Sequence, residues 1–288
     1  MMGEAIVHVN GVDLCTETFG DPDAPAILLI GGMGASMDWW DADFCRRLAL
    51  GGRKVIRYDF RDTGRSTTWP PGAPGYTGDD LVADAVALAD LLAAGRAHIV
   101  GISMGGAIAQ HLAIDHPERV ATLTLVSTST GPDDDLPPID ERLEAAFADP
   151  APEPDWSDPE AVVAHLVEDW RLFAGPDFFD QEYTREIARQ VVARTIDIES
   201  SVKNHALVKG SGSARPRLRE ITAPTLVVHG GADPFFPPGH AVMLAREINR
   251  AQLLILDGVG HQPPPPSTWD VVVPAILGHT ALSLPEAQ

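Results

Sequence analysis

Short apolar runs alternate with helical periods along most of this chain, and glycines punctuate the exchange. Residues 26–30 form an unbroken apolar run closed by Gly31-Gly32, and residues 38–50 read as a helix stopped by Gly51-Gly52. Residues 54–59 read as a strand. Residues 79–94 carry Leu81, Val82, Ala85, Val86, Leu88, Ala89 and Leu92 at a helical period ended by Gly95. A strand at 98–102, a Gly- and Ala-rich helix at 104–116 stopped by Pro117, and a strand at 120–126 follow. After Pro224 the alternation resumes: strand 225–229, helix 239–248, strand 252–257 and helix 267–277. Strands that alternate with helices build a mainly parallel sheet covered on both faces. The first 20 residues differ, because Asn10-Gly11 between two strand-like runs predicts a hairpin with a type I′ turn.

Between about residues 131 and 218 the pattern breaks. The chain is first rich in Pro and Asp, then helical, with Trp156, Trp170, Phe173, Phe178, Phe179 and Tyr183. This stretch reads as an insertion between two consecutive strands. The expected division is residues 1–130 and 219–288 as an α/β core, with 131–218 inserted into it. A chain of 288 residues can bury roughly three-quarters of its unfolded surface and needs no covalent staples. Its two cysteines, Cys15 and Cys45, are accordingly expected to be inert thiols.

The formal charge of −20 argues against nucleic acid and against an anionic membrane surface as partners. No apolar run approaches the roughly 20 residues of a membrane helix. The segment Met1-Met2-Gly3-Glu4 has neither a basic region nor a long apolar stretch, so the cytoplasm is the expected compartment. No His-Glu-x-x-His or Cys-rich spacing occurs, so neither a metal nor a cofactor is expected.

Chemistry enters at Gly101-Ile102-Ser103-Met104-Gly105, a Gly-x-Ser-x-Gly run between an apolar strand and a helix. That context defines a nucleophile elbow. A sharp turn holds the serine in strained backbone geometry, so its neighbours must be small. The following helix presents N–H groups and the positive end of its dipole beside Oγ. Serine is a weak nucleophile and needs a base, itself oriented by a third group. Among the histidines of the resumed alternation, His261 sits in the glycine-rich loop Asp257-Gly-Val-Gly-His261 just after a strand. That places an imidazole at the carboxyl edge of the sheet, on the side of Ser103. By contrast His229 ends a strand as a packed residue, His240 opens a helix in a capping role, and His279 lies in the terminal helix. Asp233, on the loop one helix and one strand before His261, is the expected acid, with Asp133, Asp134 and Asp135 as rivals after an earlier strand. An oxyanion needs two N–H donors. The Met104 amide supplies one, and Gly31-Gly32-Met33-Gly34 supplies the other, with Met33 first and Gly32 second.

The series Gly31-Gly-Met-Gly34, Tyr58-Asp-Phe-Arg-Asp-Thr-Gly-Arg-Ser66, Gly101-Ile-Ser-Met-Gly105, Gly230-x-x-Asp233 and Gly258-x-Gly-His261 resembles the α/β-hydrolase superfamily. The resemblance implies an eight-stranded, mostly parallel sheet with helices on both faces and a helical cap, here about 131–218. Family members usually carry His-Gly where this chain has Gly31-Gly32, which leaves the bracing of the oxyanion loop open. The Arg61-Asp-Thr-Gly-Arg-Ser66 run and the Gly-Gly loop are further similar to the aclacinomycin methyl esterases, which cleave a methyl ester on an anthracycline polyketide. The residues of that run are expected to form a structural turn with internal ion pairs.

These readings converge on a metal-free serine hydrolase acting on a carboxylic ester. Ser103 is the nucleophile, His261 the base, Asp233 the orienting acid, and Met33, Met104 and Gly32 the oxyanion donors. Trp170, Phe173 and Phe178 are expected to touch the substrate. That substrate is expected to be a small-molecule ester, such as a methyl ester of a bulky aromatic compound, and the protein a monomer or homodimer. The same triad supports lactone, carbon–carbon bond or peracid chemistry. A low-turnover small-molecule receptor, or a cofactor-independent oxygenase that uses His261 without Ser103, are rivals of another class, and turnover of a nitrophenyl ester separates them.

Overall fold

Asn10 and Gly11 both take positive φ (47° and 76°), as a type I′ turn requires. They join β1 (Ala5–Val9) to β2 (Val12–Phe19) in an antiparallel hairpin with Val9 opposite Val12. The computed structural model describes residues 3–131, 135–210 and 212–281. β2 also runs antiparallel to β4 (Lys54–Tyr58), and every later pairing is parallel. The remaining strands are β3 (Ala26–Ile30), β5 (Ala97–Ile102), β6 (Val120–Val126), β7 (Thr225–Gly230) and β8 (Gln252–Leu256). They form the expected eight-stranded, mostly parallel sheet in the order β1-β2-β4-β3-β5-β6-β7-β8.

Every residue of β3 and β5 is buried, which is why these strands are continuous rather than alternating apolar runs. One face is covered by α1 (Ala42–Leu50) and α9 (Trp269–Thr280), through Phe44, Leu48, Trp269, Val272 and Ile276. The other is covered by α2 (Gly78–Leu92), α3 (Met104–Asp115) and α8 (Gly239–Glu247), through Leu81, Leu88, Ile108, Leu112 and Leu244. The helix expected over 38–50 is in fact two pieces, a 3₁₀ turn (Met37–Trp39) and α1. Asp41 separates them, because its carboxylate accepts the Asp43 amide as an N-cap and its own backbone leaves the helical region. Cys15 and Cys45 are free buried thiols, both pushed up to about 12 by burial.

Between β6 and β7 lie α4 (Glu141–Ala148), α5 (Pro159–Phe173), α6 (Gln181–Arg194) and α7 (Ile198–Lys203). Aspartates start all of them: Asp140, Asp158, Asp180 and Asp197 each accept a backbone amide at the N-cap. Helices α5 and α6 form a small core of their own from Val162, Val163, Leu166, Val167, Ile187, Ala188 and Val191. Ala35 and Trp39, from the loop after β3, complete it. Arg194 in the last turn of α6 ties this segment to the sheet. Its guanidinium bonds Asp59, just beyond β4, at 2.7 Å and Asp38 at 2.9 Å. The run at 61–66 does form a turn, but its ion pairs reach outward instead of closing within it. Arg61 pairs with Asp84 of α2, and Arg65 with Glu4. Among the described residues, no helix is long and apolar enough to cross a membrane.

Candidate active site

Ser103 lies between β5 and α3 with φ 53° and ψ −119°. That region is costly for a residue with a Cβ, by about 1–3 kcal/mol, so the surroundings must enforce it. They do so through glycines. A Cβ on Gly101 would stand 2.2 Å from the Gly105 carbonyl oxygen, and one on Gly105 would stand 2.3 Å from that of Gly31. The elbow's own polar groups are satisfied. The Ser103 amide donates to Val126 O at 3.0 Å, and its carbonyl accepts from Thr128 Oγ1 at 2.8 Å. The Ser103 side chain therefore has no structural duty in holding the turn.

That side chain meets His261. Nε2 of His261 stands 2.9 Å from Ser103 Oγ, and Nδ1 stands 2.9 Å from Asp233 Oδ2. The other carboxylate oxygen, Oδ1, accepts the amides of Phe235 (2.9 Å) and Phe236 (2.8 Å). An ionised carboxylate only accepts, so Nδ1 carries the imidazole proton and Nε2 is left to accept from the serine hydroxyl. The loop that carries His261 is set by close backbone packing. A Cβ on Gly260 would stand 2.2 Å from the Gly175 amide nitrogen, and the His261 amide donates to Phe173 O at 2.7 Å. The structure thus brings together three residues that sequence reading placed on separate loops, after β5, β7 and β8.

Aromatic rings enclose the imidazole. Phe235, Phe236 and Phe173 have ring centroids 5.2, 5.3 and 6.0 Å from that of His261. Sequence reasoning missed Phe235 and Phe236. The signal was present, since they directly follow Asp233-Pro234 on the loop assigned to the acid. Of the three expected substrate contacts, Phe173 packs against His261. Trp170 instead stacks on Trp39 at 4.0 Å, and with Phe178 it lines a neighbouring groove shared with Trp40, Tyr183 and Gln262. Ser103 and His261 are not part of that groove's lining.

The other histidines of this half have structural bonds. His229 Nε2 reaches Phe236 O at 2.7 Å, and burial pushes its pKa down. His240 opens α8, yet its ring caps nothing there and instead bridges Ser129 Oγ (2.8 Å) and Pro137 O (2.9 Å). His279 reaches Leu123 O and Pro224 O, both at 3.1 Å. Of the rival acids, Asp135 is exposed and paired with Arg215, while Asp133 and Asp134 lie outside the described residues.

The loop after β3 also comes close to the elbow. A Cβ on Gly32 would stand 3.7 Å from Ser103 Cβ, so this backbone runs beside the serine. The Ala35 amide turns back to Gly32 O at 3.2 Å, and the Gly34 amide donates to His205 Nδ1 at 2.8 Å. The Met33 side chain points outward, 55% exposed. Met104 is the first residue of α3, where backbone N–H groups have no partner within the helix. Among the described residues, no group of three or more His, Cys, Asp or Glu is placed to hold a metal ion.

Comparison with known proteins agrees with this architecture. The family model for the alpha/beta hydrolase fold matches residues 25–264. The rhodomycin D methylesterase DauP of Streptomyces sp. (strain C5) is 35% identical, over 97% of this chain and 98% of its own. DnrP of Streptomyces peucetius, also a rhodomycin D methylesterase, is 34% identical over the same shares. Among solved structures, the enol-lactonase from Burkholderia xenovorans LB400 superposes with a TM-score of 0.74 at 24% identity, covering 96% of this chain and 100% of its own. The esterase RhEst1 from Rhodococcus sp. ECU1013 gives 0.77 at 19% identity, covering 98% of this chain and 100% of its own. With the sheet order, the family match and relatives aligned over nearly its whole length, this chain belongs to the α/β-hydrolase family.

Proposed function

We propose that this carboxylic-ester hydrolase works through Ser103, His261 and Asp233, and that its substrate is a methyl ester of a bulky aromatic small molecule. The observation that carries the mechanism is the hydrogen-bonded chain from Asp233 Oδ2 through His261 to Ser103 Oγ, 2.9 Å at each link. Ser103 Oγ attacks the ester carbonyl carbon as its proton passes to His261 Nε2. The carbonyl oxygen becomes an oxyanion held by the Met104 amide and by Met33 or Gly32 across the site. Collapse of this intermediate breaks the bond to the alcohol oxygen, and His261 returns the proton to the departing methanol. Water then attacks the acyl-enzyme, again giving a proton to His261, and the free acid leaves with Ser103 restored. Asp233 holds the imidazole in its Nδ1–H tautomer and stabilises the imidazolium.

The substrate class rests on the two methylesterase relatives and on the aromatic surroundings of His261. Helices α4 to α7 act as a cap in this reading. Phe173 at the end of α5, with Phe235 and Phe236, excludes water from the imidazole and offers ring faces to a flat acid portion.

Ser103→Ala tests the nucleophile. Turnover should fall on the order of 10⁶-fold in kcat while fold and ligand affinity persist. A fluorophosphonate should label the wild type at Ser103. Hydrolysis by a protein that resists labelling there would overturn the mechanism. A panel of methyl esters, from acetate to a fused-ring polyketide acid, tests the substrate class. If acetate or butyrate esters win by about tenfold or more in kcat/KM, the order expected for a pocket shaped to a bulky acid is reversed, and the aromatic reading fails while the triad reading stands.

A further inference from the structure

The loop after β3 carries Gly31-Gly32 and so has no histidine of its own to brace it. The structure supplies one from the segment between β6 and β7. His205 opens a 3₁₀ turn (His205–Leu207) just after α7, and its Nδ1 accepts the Gly34 amide at 2.8 Å. A nitrogen that accepts carries no proton, so the proton is on Nε2. Nε2 in turn stands 2.8 Å from Arg61 O, a carbonyl that can only accept. Both ring nitrogens are thereby committed, and one tautomer is selected.

The ring is buried at 2% exposure and stands edge-on to Phe60 and Tyr76. Burial pushes its pKa below the ordinary histidine value, although Asp62 and the Arg61 carbonyl oppose that shift. Asp62 is itself occupied by the Tyr76 hydroxyl (2.7 Å), the Trp69 amide (2.6 Å) and Asn204 Nδ2 (2.9 Å). The neutral imidazole is therefore the form that fits. Gly34 shows how tight the grip is. Its φ is +67°, and a Cβ there would stand 2.9 Å from the Ser201 carbonyl oxygen of α7. The near end of the same loop is equally confined, because the Gly31 carbonyl fills the space beside Gly105. Gly32 and Met33 are thus suspended between two fixed points, one at the elbow and one at His205.

We propose that His205 is a positioning residue for ester hydrolysis: as a neutral Nε2–H imidazole it ties the Gly34 amide to the Arg61 carbonyl, and so holds the Gly32 and Met33 amides where the oxyanion forms. The proposal rests on the assignment of Ser103 as nucleophile. It assigns a catalytic duty to the segment between β6 and β7 besides that of covering the site. Loss of the tie lets the loop drift, and a displaced donor costs the transition state more stabilisation than it costs the bound ester.

The test compares His205→Leu, which removes both hydrogen bonds, with His205→Asn, whose carbonyl oxygen can replace Nδ1 as acceptor, and His205→Gln, which reaches instead toward Arg61 O. Steady-state hydrolysis of a nitrophenyl ester is measured beside the affinity for an arylboronic acid, which forms a tetrahedral anionic adduct on the serine. His205→Leu should lower kcat by about 10- to 100-fold with KM changed by less than about threefold, and should weaken the boronic acid by a similar factor. His205→Asn should recover most of both losses, and His205→Gln should not. A merely structural role predicts a lower melting temperature with unchanged kcat per folded molecule and unchanged boronic acid affinity, and that result overturns the proposal. If His205→Leu does not fold, equal kcat in the Asn and Gln variants overturns it just as well. Fluorophosphonate labelling of the wild type separates the two failures. Unlabelled Ser103 sinks the nucleophile assignment, whereas labelled Ser103 with indifferent His205 variants sinks only this proposal.

Discussion

His261 Nδ1 stands 2.9 Å from one oxygen of Asp233, while the other oxygen of the same carboxylate is taken by the amides of Phe235 and Phe236. The carboxylate is buried and cannot rotate without abandoning two N–H donors. Its two oxygens therefore have separate tasks, one toward the backbone and one toward the imidazole.

That division predicts the outcome of Asp233→Asn. The amides of Phe235 and Phe236 require an acceptor, so the Asn side chain must keep its carbonyl on their side. Its NH₂ then faces His261 and forces Nδ1 to accept, which moves the imidazole proton to Nε2. A histidine in that tautomer cannot take the serine proton. We expect kcat to fall roughly 10⁴-fold with little change in stability. Joint replacement of Asp133, Asp134 and Asp135 by Asn should cost less than about tenfold, because removing an exposed salt bridge perturbs little. The reverse ranking in steady-state kinetics would move the acid to the earlier loop.

Gly105→Ala should damage the site and the fold together. Its methyl group would lie 2.3 Å from Gly31 O and 2.6 Å from Ile30 O, both backbone atoms that cannot step aside cheaply. The elbow and the loop after β3 must then separate. Overpacking of this kind costs typically about 1–3 kcal/mol or more. Urea unfolding should show that loss, and ester turnover should fall further than the unfolded fraction explains. Wild-type turnover in the folded variant would show that this contact does not set the site.

Arg194→Met should expose how α6 is tied to the sheet. The Asp59 carboxylate is fully buried, and burial pushes its pKa up against the pull of Arg194. Without the guanidinium it keeps only the amides of Met37 (2.8 Å) and Arg65 (3.0 Å). Leaving such a charge without its partner costs about 3–5 kcal/mol. Adding Asp59→Asn should recover a large part of that loss. A double-mutant cycle by chemical denaturation measures the coupling, and a value below about 0.5 kcal/mol would contradict the account.

Buried neutral histidines predict acid sensitivity. His98 in β5 bonds Thr122 Oγ1 at 3.0 Å, and burial pushes its pKa from 6.5 down to about 4. The unfolded chain therefore takes up this proton first as the pH falls, and stability drops through the window from 6.5 to about 4. Burial shifts His205, His229 and His279 the same way, while Asp59, whose pKa is raised, works in the opposite sense. The melting temperature should fall from pH 7 toward pH 4, and His98→Gln should flatten that slope. An equal slope in wild type and variant would remove His98 from the explanation.

Much of the fold is local information. The strand Val120–Val126, the Asn10-Gly11 hairpin and the start of α3 at Met104 follow from apolar period, turn chemistry and glycine position. The break in the helix at Asp41 was missed, because apolar period sees the buried face and not the capping bond that ends a helix. The ion pairs of the run at 61–66 were misjudged for a related reason. Their partners Asp84 and Glu4 are distant in sequence, whereas Asp62, of opposite charge, lies within the run itself.

The elbow at Ser103, the acid loop at Asp233 and the histidine loop at 258–261 are each set by short-range demands on small residues, and so they are readable along the chain. Their meeting is not. It depends on β5, β7 and β8 ending on one edge in the right order, which is a property of the assembled sheet. The remaining partners are further apart still: His205 grips Gly34 across 171 residues, and Arg194 closes on Asp59 across 135. Sequence determined which residues could bend, cap, donate or titrate, since those are properties of a side chain and its neighbours. Tertiary structure alone decided which distant groups share a hydrogen bond, because burial makes each polar group find a partner and only the closed fold determines which partners are within reach.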